Sequence, residues 1–263
     1  MIRVVVATQN APVYLGTFVK DFLDLVELDP RIQVQGFLVL PPLFHKSAWL
    51  EAKARWNLYG WRDFLLMCGH IACAGMLDLL WRCGFKKASP RLFTLLKSRQ
   101  IPQLPFADIN AREFQDYLQN QAEVLVSIAC PRILSQAVLE SASLGALNYH
   151  TGALPKYRGR QPLYWALLNG EKEIGVTVHE MAPQLDAGPI VVQKMVDIRG
   201  VKSLHECYRR SLKVGPGLLV QALQKLLDGD STRLANPDLG EKPYRFPTKV
   251  HGQAFRRKGL RVY

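Results

Sequence analysis

The stretch Ile2-Arg3-Val4-Val5-Val6-Ala7, with Tyr14-Leu15-Gly16-Thr17-Phe18-Val19-Lys20-Asp21-Phe22-Leu23 and Ile32-Gln33-Val34-Gln35-Gly36-Phe37-Leu38-Val39-Leu40 behind it, decides the fold. Residues 3–7 form a continuous, β-branched run, the pattern of a parallel strand covered on both faces. Tyr14, Phe18 and Phe22 recur at four-residue spacing, as do Leu15, Val19 and Leu23, which makes one apolar helix face. Residues 32–40 read as a second strand that ends at Pro41-Pro42. Strand, helix, strand is the opening of a doubly wound sheet.

Working outward, residues 111–118 read as a helix. Residues 124–129, 144–150, 174–179 and 190–196 read as strands. Residues 203–227 read as a helix interrupted at Gly215-Pro216-Gly217, because proline lacks the N–H that a helix interior needs. The expected class is α/β: a Rossmann-like, doubly wound, mostly parallel sheet. Residues 45–100 hold few strand signals and read as a helical insertion. A catalytic domain over 1–230 and a basic C-terminal tail over 231–263 are expected, the tail pinned to the domain by Tyr244, Phe246 and Phe255.

The composition agrees with a packed core, with 48% hydrophobic and 21% charged residues among 263. The net charge of +12 favours anionic partners: nucleotides, nucleic acid or acidic headgroups. Five cysteines in no CxxC pair argue against zinc and suggest buried, reduced thiols. No metal is expected. The apolar start is too short for a signal-peptide core. No long uncharged apolar run stands out, so a membrane-spanning helix is not expected.

Chemistry concentrates in Leu147-Asn148-Tyr149-His150-Thr151-Gly152-Ala153-Leu154-Pro155-Lys156-Tyr157-Arg158-Gly159. Side chains alternate along a strand, so Asn148 and His150 share a face. Two polar side chains at the end of a buried strand point to the ligand-binding edge of an open sheet. Lys156 and Arg158 could close a loop over an anionic substrate. Asp186 lies in the turn Leu185-Asp186-Ala187-Gly188-Pro189, beyond the next strand, where it could reach the same edge. Taken singly, His150 reads equally as a structural histidine, Asp186 as a turn residue, and Lys156 and Arg158 as surface charges.

Taken together, Asn148-x-His150, Leu154-Pro155-x-Tyr157-Arg158-Gly159, Gly175-Val176-Thr177-x-His179 and Leu185-Asp186-x-Gly188-Pro189-Ile190 resemble the folate-dependent formyltransferases. The likeness runs clearly from about 124 to 196. It implies catalytic roles for Asn148, His150 and Asp186. Asn148 and a protonated His150 would stabilise a developing oxyanion. Asp186 would accept the amine's proton and hold the charge state of His150. It also implies N10-formyltetrahydrofolate as formyl donor. Ser127 to Leu134 resembles the strand and loop that hold the pterin ring, which places donor contacts at Cys130, Arg132, Ile133 and Leu134. Met181, Ala182 and Leu185 would complete them. Acceptor contacts fall to Thr151, Lys156, Arg158 and His179, with His179 in a supporting role.

Within the family, the stretch after the first strand, Thr8 to Gly16, lacks the Gly/Ser-rich phosphate cradle of glycinamide ribonucleotide transformylases. The chain beyond residue 198 looks too short for the tRNA-gripping barrel of methionyl-tRNA formyltransferases. By elimination, the expected acceptor is the primary amine of a nucleotide- or lipid-linked amino sugar. A methionyl-tRNA formyltransferase-like enzyme, a formyltetrahydrofolate hydrolase, and a non-catalytic folate- or nucleotide-binding protein remain alternatives. A cytoplasmic location is expected, and homo-oligomerisation stays open.

From Trp61 to Trp81, 100° helical steps gather Arg62, Asp63, His70 and Asp78 within roughly 160° of arc. The rest of the circumference is apolar. The basic residues Arg82, Lys86, Lys87, Arg91, Lys97 and Arg99 come next. Such a face can pack on the main domain, join a dimer, or touch the inner face of an anionic membrane through Trp61 to Arg99.

Overall fold

A computed structural model describes residues 1–42, 48–85 and 90–263. Lys86 and Lys87 of the basic run, and the first residues of the expected insertion, lie outside the described residues.

The described strands are β1 (Ile2–Gln9), β2 (Ile32–Leu40), β3 (Val124–Ile128), β4 (Ala146–His150), β5 (Glu173–Glu180) and β6 (Ile190–Asp197). They form one sheet in the order β2-β1-β3-β4-β5-β6. The first four are parallel, and β5 and β6 run antiparallel to their neighbours. Alternation along each strand builds a core on either side. Val4, Val6, Val126 and Leu147 face α1 (Leu15–Val26) and α8 (Leu204–Leu227), meeting Phe18, Phe22, Leu219 and Leu223. Val5, Ala7 and Leu125 face the other way, against Phe114 and Leu118 of α5 (Arg112–Gln121) and Val138 of α6 (Gln136–Leu139).

The expected break at Pro216 does not occur. α8 runs unbroken through it. A proline forfeits one backbone hydrogen bond, but packing of the helix on either side outweighs that loss. Gly215 and Pro216 are buried. Gly215 lets the helix close on β4, since a Cβ there would lie 2.4 Å from the Tyr149 hydroxyl.

The third apolar cluster joins α7 (Pro162–Asn169) to the C-terminal segment. Tyr244 stacks on Tyr157 and Trp165, with centroids 5.5 and 5.0 Å apart. Phe255, on α9 (Lys249–Arg257), stacks on Tyr164 at 4.5 Å. Backbone bridges tie Gly159 to Tyr244 and Ser203 to Arg261.

Between β2 and β3 lie α2 (Ala48–Tyr59), α3 (Trp61–Arg82) and α4 (Leu92–Ser98). α3 revises two expectations. By length and composition it is apolar enough to cross a membrane, because its charges sit only near its ends and leave residues 64–77 uninterrupted. Its thiols are also not buried: Cys68, Cys73 and the adjoining Cys83 are exposed, Cys130 is half-buried and Cys207 is buried, all free.

Candidate active site

Asn148 and His150 share the face of β4 that also carries Ser127 and His179, which sit opposite Asn148 on β3 and β5. Helices α5 and α6 cover this face over β1 and β3. Over β4 and β5, loops cover it instead. Thr177 Oγ1 donates to the Gly152 carbonyl at 2.6 Å, so the loop after β4 lies across β5. The chain leaving β5 starts at the other end of β4, where Met181 N donates to the Ala146 carbonyl at 2.8 Å. It then folds back over the same face. The site is therefore on the face of the sheet, under two loops, rather than at the strand ends alone. The antiparallel run of β5 is the reason.

Asp186 ends that return, in a left-handed conformation with φ +50°, which a short polar side chain tolerates better than most. Its Oδ2 accepts the Gly159 backbone N–H at 2.7 Å and lies 3.7 Å from His150 Nδ1. Its Oδ1 lies 3.6 Å from His179 Nε2 and 3.4 Å from Asn148 Nδ2. The structure thus brings Asn148, His150 and Asp186 together with His179. Asp186, His150 and His179 are buried.

The hydrogen bonds fix the tautomers. A backbone carbonyl can only accept, so His150 Nε2 carries a proton toward the Tyr157 carbonyl at 2.7 Å. Nδ1 of His150 then faces Asp186. His179 Nδ1 likewise donates to the Glu180 carbonyl at 2.7 Å. Its Nε2 takes the Asn148 amide N–H at 3.1 Å, which sets that amide's orientation. Burial lowers the pKa of His150, against the opposing pull of Asp186. The resting ring is therefore neutral near pH 7, not protonated as expected from sequence. Burial pushes the Asp186 carboxyl up, but His150, His179 and the Gly159 N–H outweigh it and hold the group at about 2.

The expected acceptor contacts divide. Thr151 is half-buried beside His150. Lys156 points away to Glu171, 2.5 Å distant. Arg158 is a correction: its guanidinium is buried against the C-terminal segment, donating to the Asn236 and Pro237 carbonyls at 3.1 and 3.0 Å and to Asp238 at 3.3 Å. Those bonds engage both terminal nitrogens, and Nε is buried without a hydrogen-bond partner.

The expected donor contacts lie in two loops that meet over one apolar cluster, in which Cys130 and Met181 pack near buried Leu134. Ile133 and Leu185 are exposed apolar side chains, and Ala182 is half-buried. Burial raises the Cys130 thiol to about 11, so it is no nucleophile at neutral pH. Arg132 folds onto the Pro131 carbonyl at 3.3 Å. Apolar side chains beside a polar floor fit a flat heteroaromatic ring with hydrogen-bonding edges. Two supports escaped the sequence reading. Asn110 clamps this loop, donating to the Ile133 carbonyl at 3.0 Å and accepting from Ser135 N at 2.8 Å. Asn236 clamps the other, donating to the Asp186 and Gly188 carbonyls at 3.0 and 2.8 Å. Neither position carries a local sequence signal.

Comparison with known proteins identifies the arrangement. Residues 97–223 match the formyl transferase family model, a span that contains Asn148, His150 and Asp186. That span is similar to the formyl transferases. Members of this family are transferases of one-carbon groups. Among relatives, the methionyl-tRNA formyltransferase of Moorella thermoacetica is 38% identical over 152 residues, 57% of this chain and 49% of that protein. That of Thermotoga maritima is 31% identical over 148 residues, 56% and 47% respectively. The chain thus spans about half the length of these relatives. The fold is shared with an N-formyltransferase from Helicobacter canadensis solved with folinic acid and dTDP-3-aminofucose, at TM-score 0.58 and 17% identity, covering 100% of this chain and 84% of the other. It is shared too with glycinamide ribonucleotide transformylase 1 from Symbiobacterium toebii, at TM-score 0.55 and 19% identity, covering 87% and 89%.

Proposed function

We propose that this chain moves a formyl group from N10-formyltetrahydrofolate to a primary amine, that of a nucleotide- or lipid-linked amino sugar. The observation that carries the reading is the meeting of Asn148 and His150, from one strand, with Asp186, from a separate loop, in one polar cluster. The donor supplies an activated one-carbon unit. Cys130 to Leu134 and Met181 to Leu185 would hold its ring. The acceptor rests on weaker support: the bound ligand of the Helicobacter canadensis protein, against relatives that act on methionyl-tRNA.

The geometry divides the work differently from the sequence reading. A carboxylate held at about 2 is a weak base, because a useful base titrates near the working pH. His150 Nδ1 is unprotonated in the resting state and is the better acceptor for the amine's proton. Asp186, 3.7 Å away, then stabilises the imidazolium, which returns that proton to the N10 nitrogen of the donor as its bond to the formyl carbon breaks. Asn148 Nδ2 holds a firm bond to His179 at 3.1 Å and a long one to Asp186 at 3.4 Å. The long one can turn to a developing oxyanion at little cost, and preorganised donors of this kind contribute about 3–4 kcal/mol. His179 positions that amide.

The test begins with the thermal shift of the purified chain in 5-formyltetrahydrofolate, a stable analogue of the donor. A ligand that binds only the folded state raises the Tm. Formyl transfer to a panel of nucleotide-linked amino sugars and to methionyl-tRNA is then measured. No shift at saturating ligand would sink the donor assignment. Transfer to methionyl-tRNA alone would replace the acceptor.

A further inference from the structure

The insertion helix α3 is folded inside out. A surface helix of a soluble domain turns its apolar stripe to the core and its charges to water. Here Asp63 and Asp78 are buried on the inner side. Leu65, Leu66, Met76, Leu79 and Leu80 are exposed on the outer side, with Cys68 and Cys73 among them. Trp61 stands at one end, 64% exposed, and Phe85 just past the other, 65% exposed. An exposed apolar surface this long marks a site of association.

The inner side anchors the helix along its whole length. Asp63 accepts the Val262 backbone N–H at 2.6 Å. The His70 ring packs on His205 and Tyr263, at 4.9 and 4.4 Å. Asp78 accepts the Arg91 backbone N–H at 2.6 Å and the Thr94 hydroxyl at 3.0 Å. A helix threaded across a bilayer would break every one of these contacts and carry two carboxylates and a histidine into hydrocarbon, where they are expensive. The helix therefore stays docked, and whatever covers its outer side must come to it.

We propose that α3 seats the protein on the surface of an anionic phospholipid bilayer, lying in the interface with its outer side among the upper acyl chains. Charge chooses the occupant. The acids of α3 face inward, whereas Arg62 in its first turn and Arg82 at its last residue are exposed. On α2, Lys53 is exposed and sits over the Trp49 ring at 4.8 Å. Trp49, Trp56 and Trp61 are exposed and suit the headgroup layer, where an apolar ring with a polar edge is at home. Exposed cations around an apolar strip match anionic headgroups over acyl chains. This holds whether or not the catalytic reading does.

The experiment is co-sedimentation of the full chain with vesicles of phosphatidylglycerol and phosphatidylcholine, against phosphatidylcholine alone, at low and high salt. The parent should sediment with the mixed vesicles at low salt, and at least tenfold less with the neutral ones. Leu79→Glu, at an exposed position, should cut binding at least tenfold with an unchanged Tm and circular dichroism spectrum. An environment-sensitive dye on Cys68 or Cys73 of the parent should shift to the blue with mixed vesicles. That second readout stands even where the charged variant misfolds. Parent chain left in the supernatant at low salt, with no dye shift, overturns the proposal. So does a lipid-free dimer that Leu79→Glu dissociates while vesicles have no effect, since α3 is then a protein interface.

Discussion

Asp186 and His150 set the pH response of the site between them. In the proposed mechanism His150, neutral through burial, takes a proton during turnover. Activity should therefore be flat near neutrality and fall only at a pH below the ordinary histidine value of about 6.5, where the lowered pKa lies. A pH profile of kcat measures this, and a profile rising toward acid would mean that the protonated ring is the working form. His150→Asn should lower kcat by about 100-fold or more and remove the acid limb. Asp186→Asn leaves the imidazolium unsupported, so kcat should fall by a similar or larger factor while the folate thermal shift is retained. Equilibrium unfolding against pH gives an independent check. With a native pKa of about 2 against an ordinary 3.8, Asp186 contributes about 2 kcal/mol above pH 4, and that is lost as pH falls through 4 toward 2. His150 has the same sign higher up, since its lowered pKa costs stability as pH falls through about 6.5.

At the scale of elements, the loops hold the site and the strands only face it. Gly159 shows why. Its N–H binds Asp186, its φ is +100°, and a Cβ would lie 2.3 Å from the Tyr244 carbonyl oxygen. Gly159→Ala must therefore strain the backbone and part the loop from the C-terminal segment. A loss of about 2–4 kcal/mol is expected, read as a Tm drop of about 5–10 °C with most activity gone. Asn236→Ala removes two bonds to the Asp186 turn without a steric clash. It should cost about 1–3 kcal/mol and lower kcat more than it weakens folate binding, because it loosens the carboxylate and not the ring site. Equal loss in both would point to general unfolding of the loop.

For the whole molecule, the C-terminal segment packs into the body that carries the candidate site. It supplies Asn236 to the Asp186 turn, Tyr244 to the loop after β4, and the Val262 N–H to Asp63 of α3. Phe255→Ala, at the stack on Tyr164, should cost about 3–5 kcal/mol as a core cavity does. Limited proteolysis should then release the segment before the sheet is cut. A variant whose segment resists protease as the parent does would mean that the other contacts suffice.

The sequence by itself determined the sheet and named the candidate site residues. β2 runs over the residues expected, and the remaining strands agree to within two residues, because burial writes an apolar run in the central strands β1 and β3 and alternation in β5. Asn148 and His150 were legible as two polar residues on one face at the end of a buried strand, and only the resemblance of the combined motifs joined Asp186 to them. Only tertiary structure decided the rest, since it depends on partners distant in the chain. Pro216 keeps its helix because Gly215 packs on Tyr149. Arg158 is spent on residues 236–238. His150 is neutral because loops bury it. The side of α3 that faces the protein was open from sequence, since its acids and its leucines were both candidates for the inner face. Val262 and Arg91, far along the chain, supply the N–H groups that turn the acids inward.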